Sequence, residues 1–199
     1  MGELLTRRAL MLPGEVTPRE WDYEWDYTKG LLDSDGWEVE RVGSGSTSVS
    51  INSGGYLRFQ GTSSTYYNYF KTDEYTQAVA EFEVYMEANQ NVIRLNVGGN
   101  ETYNLGVRMQ VSSNYKGLYL GTSVSSTKLA TISYAQKYKV KLVLNGSVGQ
   151  VYLDDALIAD DIDTSANLNC NHAFVSGRSA GSTVRYNRLY SVKMKFGRI

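Results

Sequence analysis

The chain lacks most of what catalytic or metal chemistry draws on. Among its 199 residues there is one histidine, His172, one cysteine, Cys170, and only two prolines. A single histidine excludes a histidine-rich metal site and leaves one candidate imidazole base. A lone cysteine cannot close an internal disulfide, so the fold does not depend on an oxidising compartment. The tripeptide "CNH" at Cys170 to His172 offers two ligands, too few for zinc without distant partners, and the plainer reading is a structural or surface histidine. Nothing resembling a nucleophile elbow surrounds any serine. Neither sign of charge is in excess: the formal net charge is -1. Without a basic field to hold phosphates, neither nucleic acid nor an anionic membrane is an expected partner. No long apolar run is present either. The opening "MGELLTRRALMLPGE" is interrupted by Arg7 and Arg8, which predicts no signal peptide and no membrane insertion.

What the chain does have is glycine, tyrosine and alternation. Nineteen glycines and sixteen tyrosines predict many short strands joined by glycine, serine and asparagine turns. Both prolines fall before residue 19, in a stretch whose composition differs from the rest. Residues 1–20, with Leu4, Leu5, Leu10, Met11 and Leu12 around Arg7 and Arg8, read as an anchoring arm that reaches a neighbouring subunit. From residue 21 the hydrophobic period is two. The segments "WEVERV", "STSVSIN", "YLRFQ", "YYNYF", "AVAEFEVYMEA" and "VIRLNVG" each fit a half-buried strand. So do "YNLGVRMQV", "KGLYLGT", "KYKVKLVLN", "QVYLDDALIA" and "VRYNRLYSVKMKFG". Eleven such segments predict two stacked antiparallel sheets over residues 21–199 and no helix longer than about three turns.

Parity assigns the faces, because successive strand side chains point to opposite sides. Phe82, Val84 and Met86 oppose Glu81, Glu83, Tyr85 and Glu87. Ile93, Leu95 and Val97 oppose Arg94 and Asn96, while Val107, Met109 and Val111 oppose Arg108 and Gln110. Val140, Leu142 and Leu144 oppose Lys139, Lys141 and Val143. In "WDYEWDY" at 21–27 the acids Asp22, Glu24 and Asp26 are expected at the surface. Trp25 and Tyr27 are expected in the core or beneath the arm.

The stretch "YKVKLVLNGSVGQVYLDDALIADD", Tyr138 to Asp161, resembles the hairpin pair of laminin-G-like and concanavalin A-like jelly-roll domains. The segment "AFVSGRSAGSTVRYNRLYSVKMKFG" looks like their closing segment. "YEWDYTKGLLDSDGWEV" is similar to their opening strand, which pairs near the last one. The resemblance implies an all-β, two-sheet jelly-roll sandwich, a fold that hosts lectins, hydrolases and structural modules alike. With the Arg-containing arm and no export signal, the architecture also resembles tail-associated or accessory virion proteins of bacteriophages. That second resemblance implies a virion location, other virion subunits as partners and a homo-oligomer.

Several groups of residues are candidate sites. "EFEVYME" at Glu81, Glu83 and Glu87 resembles the catalytic strand of laminarinases and lichenases, but a glutamate replaces the central aspartate. Glu83 and Glu87 also stand about four rises of ~3.3 Å apart, too far for a retaining pair, which needs ~5–5.5 Å. A solvated strand face is the alternative, and no catalytic residue is assigned. "DSDG" at Asp33 to Gly36 lacks the later ligands of a calcium loop and reads as a turn. "DDALIADDID" offers Asp154, Asp155, Asp160, Asp161 and Asp163, oxygen ligands of unspecific spacing, so calcium is an open alternative to a solvated loop and no cofactor is expected. The better candidate is a glycan surface. Tyr66, Tyr67 and Tyr69 surround Asn68 in "TSSTYYNYFKT", and Arg94, Asn96, Arg108 and Tyr119 share the polar sheet face. Tyrosine offers a flat apolar face and a hydroxyl, and amides and guanidiniums supply the contacts sugar hydroxyls need. The alternative is that tyrosines fill exposed strand positions where their β-propensity favours them.

The reading that follows is a non-enzymatic, lectin-like virion protein contacting host-surface glycans or neighbouring subunits. A bacterial carbohydrate-binding module or a laminarinase-type glycoside hydrolase is the rival.

Overall fold

The computed structural model describes residues 20–42, 47–61, 65–87, 91–97, 105–112, 114–121, 127–165, 170–179 and 185–199. Leu4, Leu5, Arg7, Arg8, Leu10, Met11 and Leu12, expected to form an anchoring arm, lie outside them. In chain order the strands are β1 (Tyr23–Asp26), β2 (Glu38–Val42), β3 (Thr47–Asn52), β4 (Tyr56–Gly61), β5 (Thr65–Tyr75), β6 (Gln77–Met86), β7 (Asn91–Val97) and β8 (Leu105–Val111). There follow β9 (Lys116–Leu120), β10 (Lys128–Ala130), β11 (Gln136–Asn145), β12 (Val148–Leu153), β13 (Ala156–Asp163), β14 (Cys170–Ser179) and β15 (Arg185–Phe196). Two short 3-10 turns, Tyr27–Lys29 and Leu32–Asp35, are the helical elements among the described residues.

Two antiparallel sheets face each other. One has the order β13, β12, β11, β6, β15, β4, β3, with β1 also paired to β15; the other runs β10, β9, β8, β7, β14, β5, β2. The alternation explains why they stack. Along β6 the residues Ala78, Ala80, Phe82, Val84 and Met86 are buried while their neighbours are half-buried. Tyr138, Val140, Leu142 and Leu144 of β11 continue that face. Ile93, Leu95, Val97, Val107, Met109 and Val111 supply the facing sheet, and all belong to one core. Each fully buried large aliphatic or aromatic side chain contributes roughly 1.5–3 kcal/mol relative to leaving it in water.

β1 pairs with the last strand, Trp25 opposite Val192, as the resemblance to the jelly roll implies. Trp25 is buried, and its indole N–H donates to the Gly30 carbonyl at 3.2 Å. Tyr27 departs from expectation: it is 44% exposed. The reason is local. Asp26 accepts from the Thr28 amide at 2.8 Å, an N-cap that ends the strand and starts a 3-10 turn, so Tyr27 leaves the alternation. Tyr23, which the stripe placed beside Trp25, closes one end of the sandwich against Phe70 and Trp37. Its hydroxyl donates to Asp35 at 2.6 Å and accepts from the Trp37 indole at 2.7 Å.

The run "QVYLDDALIA" is two strands rather than one. Asp154 and Asp155 have φ of 49° and 67°, the pattern of a two-residue hairpin turn whose twist suits antiparallel strands. The acidic run after it is therefore the edge strand β13 and not a solvated loop.

Candidate functional site

The outer face of the seven-stranded sheet gathers most of the polar residues picked out from the sequence. Register fixes this. Across the sheet, Lys128 of β10 pairs with Tyr119 of β9, Tyr119 with Arg108 of β8, and Arg108 with Arg94 of β7. Arg94 pairs in turn with Ser176 of β14, and Ser176 with Tyr67 of β5. Tyr67, Arg94, Arg108 and Tyr119, scattered over more than fifty positions of sequence, thus occupy one transverse row. The adjacent row runs from Gly106 through Asn96 and Phe174 to Tyr69. Directly opposed positions on antiparallel strands stand ~4.5–5.5 Å apart at Cα, so side chains along a row are within mutual reach.

Tyr66 and Asn68 fall in other rows. Tyr66 pairs with Gly177, which pairs with Ile93, and Asn68 with Val175, which pairs with Leu95. Ile93, Leu95 and Val175 are core residues, so the structure does not bring these two positions into register with Arg94 and Asn96.

This face is not a plain solvent coat. Asn96 is 1% exposed and Tyr119 6% exposed, although both sit opposite the core parity. Two glycines account for their seating, Gly106 on the strand beside Asn96 and Gly117 on the same strand as Tyr119. A Cβ at Gly106 would meet the Asn96 Nδ2 atom at 2.7 Å, so the amide lies directly over residue 106. A Cβ at Gly117 would meet the Tyr119 ring at 3.0 Å and Lys128 Cε at 2.8 Å, so both side chains cross that bare stretch of backbone. Arg108 is oriented by Gln110, two residues along on the same face: its Nε and Nη2 both donate to Gln110 Oε1, at 3.0 and 2.7 Å.

Asn96 carries the most informative atom of the face. Its Oδ1 is buried and has no hydrogen-bond partner among the described residues. Buried polar atoms are nearly always satisfied, because leaving one unmade costs about 1–3 kcal/mol. An acceptor left unpaired in the row next to Arg94 and Arg108 is one that a sugar hydroxyl or a water would complete on reaching it.

The opposite outer face, on the eight-stranded sheet, holds the carboxylates of "EFEVYME". A cavity of about 160 Å³ opens there, lined by Glu81, Phe82, Glu83, Lys139, Ser191 and Lys193. It coincides with a register shift of β15 against β6 between Leu189 and Ser191. Each carboxylate has a cation: Glu81 lies 3.5 Å from Lys139, Glu83 3.3 Å from Lys137, and Glu87 2.9 Å from Arg188. Lys139 also bridges to Asp155 at 2.9 Å, and that hydrogen bond above all holds its ammonium above the ordinary lysine range. Arg188 is flanked by the rings of Tyr56 and Tyr85 at 4.5 and 4.7 Å, a cation–π pairing that parity alone did not reveal. Among the described residues no group of three or more His, Cys, Asp or Glu side chains is placed to hold a metal ion. The side chains of Cys170 and His172 lie outside the described residues.

No protein-family model matches the chain, and no curated protein matches it in sequence. Solved structures match it in fold. A sialidase superposes on 87% of the chain with a TM-score of 0.68 and 12% identity, the chain spanning 18% of that protein's length. The potassium-bound carbohydrate recognition domain of Emp46p matches over 83% of this chain and 90% of its own, with a TM-score of 0.55 and 11% identity. A protein of unknown function with a galectin-like fold, from Bacillus subtilis, matches over 88% and 96% with a TM-score of 0.62 and 10% identity. The chain is thus a galectin-like, concanavalin A-like jelly-roll sandwich, the class that its paired strands and two sheets define. At these identities the likeness is one of fold.

Proposed function

We propose that this chain is a lectin-like domain that binds glycans on the outer face of its seven-stranded sheet. The observation that carries the reading is Asn96, a buried amide with an unpaired acceptor, in the row next to the register-aligned Arg94, Arg108 and Tyr119. A fold shared with a carbohydrate recognition domain and a galectin-like protein supports it. Tyr119 supplies a ring and hydroxyl at one end of the row, and Tyr67 occupies a position near the other. The test is a glycan array probed with the intact chain, followed by calorimetry on the best ligand. Binding that Asn96→Ala weakens about tenfold or more, a difference of about 1.4 kcal/mol, with an unchanged melting temperature supports the site. Unaltered affinity in that variant contradicts it.

The binding is proposed to be non-enzymatic. Glu81, Glu83 and Glu87 each face a cation instead of a second carboxylate across an open cleft, which is the arrangement glycoside hydrolysis needs. Release of reducing sugar from β-glucans, abolished in Glu83→Gln, would instead establish the hydrolase alternative.

Placement in a phage tail or other virion is a narrower proposal, supported by the composition of residues 1–20. It predicts that deleting residues 1–20 leaves a folded, cooperatively melting domain that no longer joins particles or oligomers. A truncated protein that still assembles would remove the anchoring role.

A further inference from the structure

We infer that the glycan bound at this face carries an acidic group, a carboxylate or a sulfate ester. This rests on the lectin-like reading above and names its ligand class. Three adjacent rows of the face decide it. The first holds Lys128, Arg108 and Arg94 in register, and the third pairs Gly117 with Gln110, Gln110 with Val92, and Val92 with Arg178. Acidic positions occur in these rows only at Glu38 and Glu40, both on the edge strand β2. Four cationic positions against two acidic ones stand out on a chain whose formal net charge is -1.

Arg94 and Arg108 are directly opposed on neighbouring strands, and like charges in that relation disfavour a sheet. The other sheet also opposes two arginines, Arg188 and Arg58, and there Glu87 holds Arg188 at 2.9 Å, while Glu81 pairs with Lys141 and Lys193, and Glu83 with Lys139. Two planar, permanently charged guanidiniums side by side suit an oxyanion, which would meet their terminal Nη–H groups, since Gln110 takes the Nε edge of Arg108 and Arg94 Nε is buried. Gln110 turns Arg108 by accepting from its Nε and Nη2, which pre-orients that fork. Asn96 Oδ1, buried and unpaired in the next row, then takes a hydroxyl of the same sugar once the groups that cover it move aside. Cations take the acid and the amide takes the ring, so both halves of the face have a task in one ligand.

The test compares matched probes on the intact chain and then on one double variant. Calorimetry is run with tetragalacturonate and its carboxyl-reduced counterpart, with sialyllactose and lactose, and with sulfated and desulfated galactan oligosaccharides. The proposal expects at least one acidic member to bind about tenfold or more tighter than its neutral twin. It expects that preference to fall severalfold between about 0.05 and 0.5 M salt and to vanish in Arg94→Gln/Arg108→Gln. Which pair responds separates carboxylate from sulfate. Equal binding of both members of every pair that binds overturns the acidic inference and leaves the lectin-like reading standing. Binding to none of these probes and to no array glycan overturns both. Tight binding of single-stranded DNA with no glycan bound also overturns it.

Discussion

At the residue scale, the proposed binding role and fold stability fall to different residues, Asn96 and Tyr23. Asn96 Oδ1 gives the fold no hydrogen bond among the described residues. Gly106→Ala is the complementary change. The new Cβ would stand 2.7 Å from Asn96 Nδ2, forcing the amide aside, so glycan affinity should fall by about tenfold or more while the far-ultraviolet dichroism spectrum is unchanged. Affinity equal to that of the unaltered chain would show that the amide's position is immaterial. Tyr23 is the opposite case. Its hydroxyl joins Asp35 to Trp37, and Tyr23→Phe should cost about 1–3 kcal/mol in denaturant unfolding by leaving the Trp37 N–H unpaired. The same phenol makes stability depend on alkaline pH. Burial first, then the hydrogen bond to Asp35, raises its pKa well above the ordinary value of 10.0. A raised pKa means that its contribution is complete below about pH 10, where the phenol is neutral in both states. The contribution is lost as pH climbs further, because the unfolded phenol ionises first. Denaturation midpoints measured from pH 8 to about 11 should therefore fall more steeply for the unaltered chain than for Tyr23→Phe. Parallel curves would refute the assignment.

At the element scale, what was legible in the sequence was whatever alternation alone decides. Strands β6, β7, β8 and β11 have the faces their parity predicted, because every second residue is apolar and one face must be buried. β10 was not legible, since three residues carry too little pattern to read. The join of β12 and β13 was hidden for another reason: Asp-Asp lacks the glycine that usually marks a tight turn. Depth was hidden as well. Parity puts Asn96 on the polar face, but its burial depends on Gly106 of the next strand, a pairing that local sequence does not state. The β12–β13 turn makes its own prediction. Asp154 Oδ1 accepts from the Lys139 amide at 2.8 Å, whereas Asp155 offers Lys139 an exposed ion pair, a kind worth ~0.2–1 kcal/mol. Asp154→Ala should therefore destabilise the chain by about 1 kcal/mol or more, a fall of roughly 2–4 °C in melting temperature for each kcal/mol. Asp155→Gly should come out near neutral, since relief of the positive φ offsets the lost pair. Equal losses in both variants would mean that the amide hydrogen bond adds nothing.

At the scale of the whole molecule, the sandwich presents two outer faces of contrasting chemistry. On the eight-stranded sheet, acids and bases are paired with each other around a small cavity. On the seven-stranded sheet, cations stand in register beside a buried amide with an open acceptor. The account assigns ligand binding to the second face, and the most direct check is a map of where the ligand sits. Backbone amide shifts of the intact chain would be followed while the best glycan from the array is titrated to saturation. The account predicts the largest perturbations at residues 92–96, 106–110 and 117–119, with little change in β6 and β11. Perturbations centred instead on Glu81, Glu83, Lys139 and Ser191 would contradict it and move the site to the cavity of the opposite sheet.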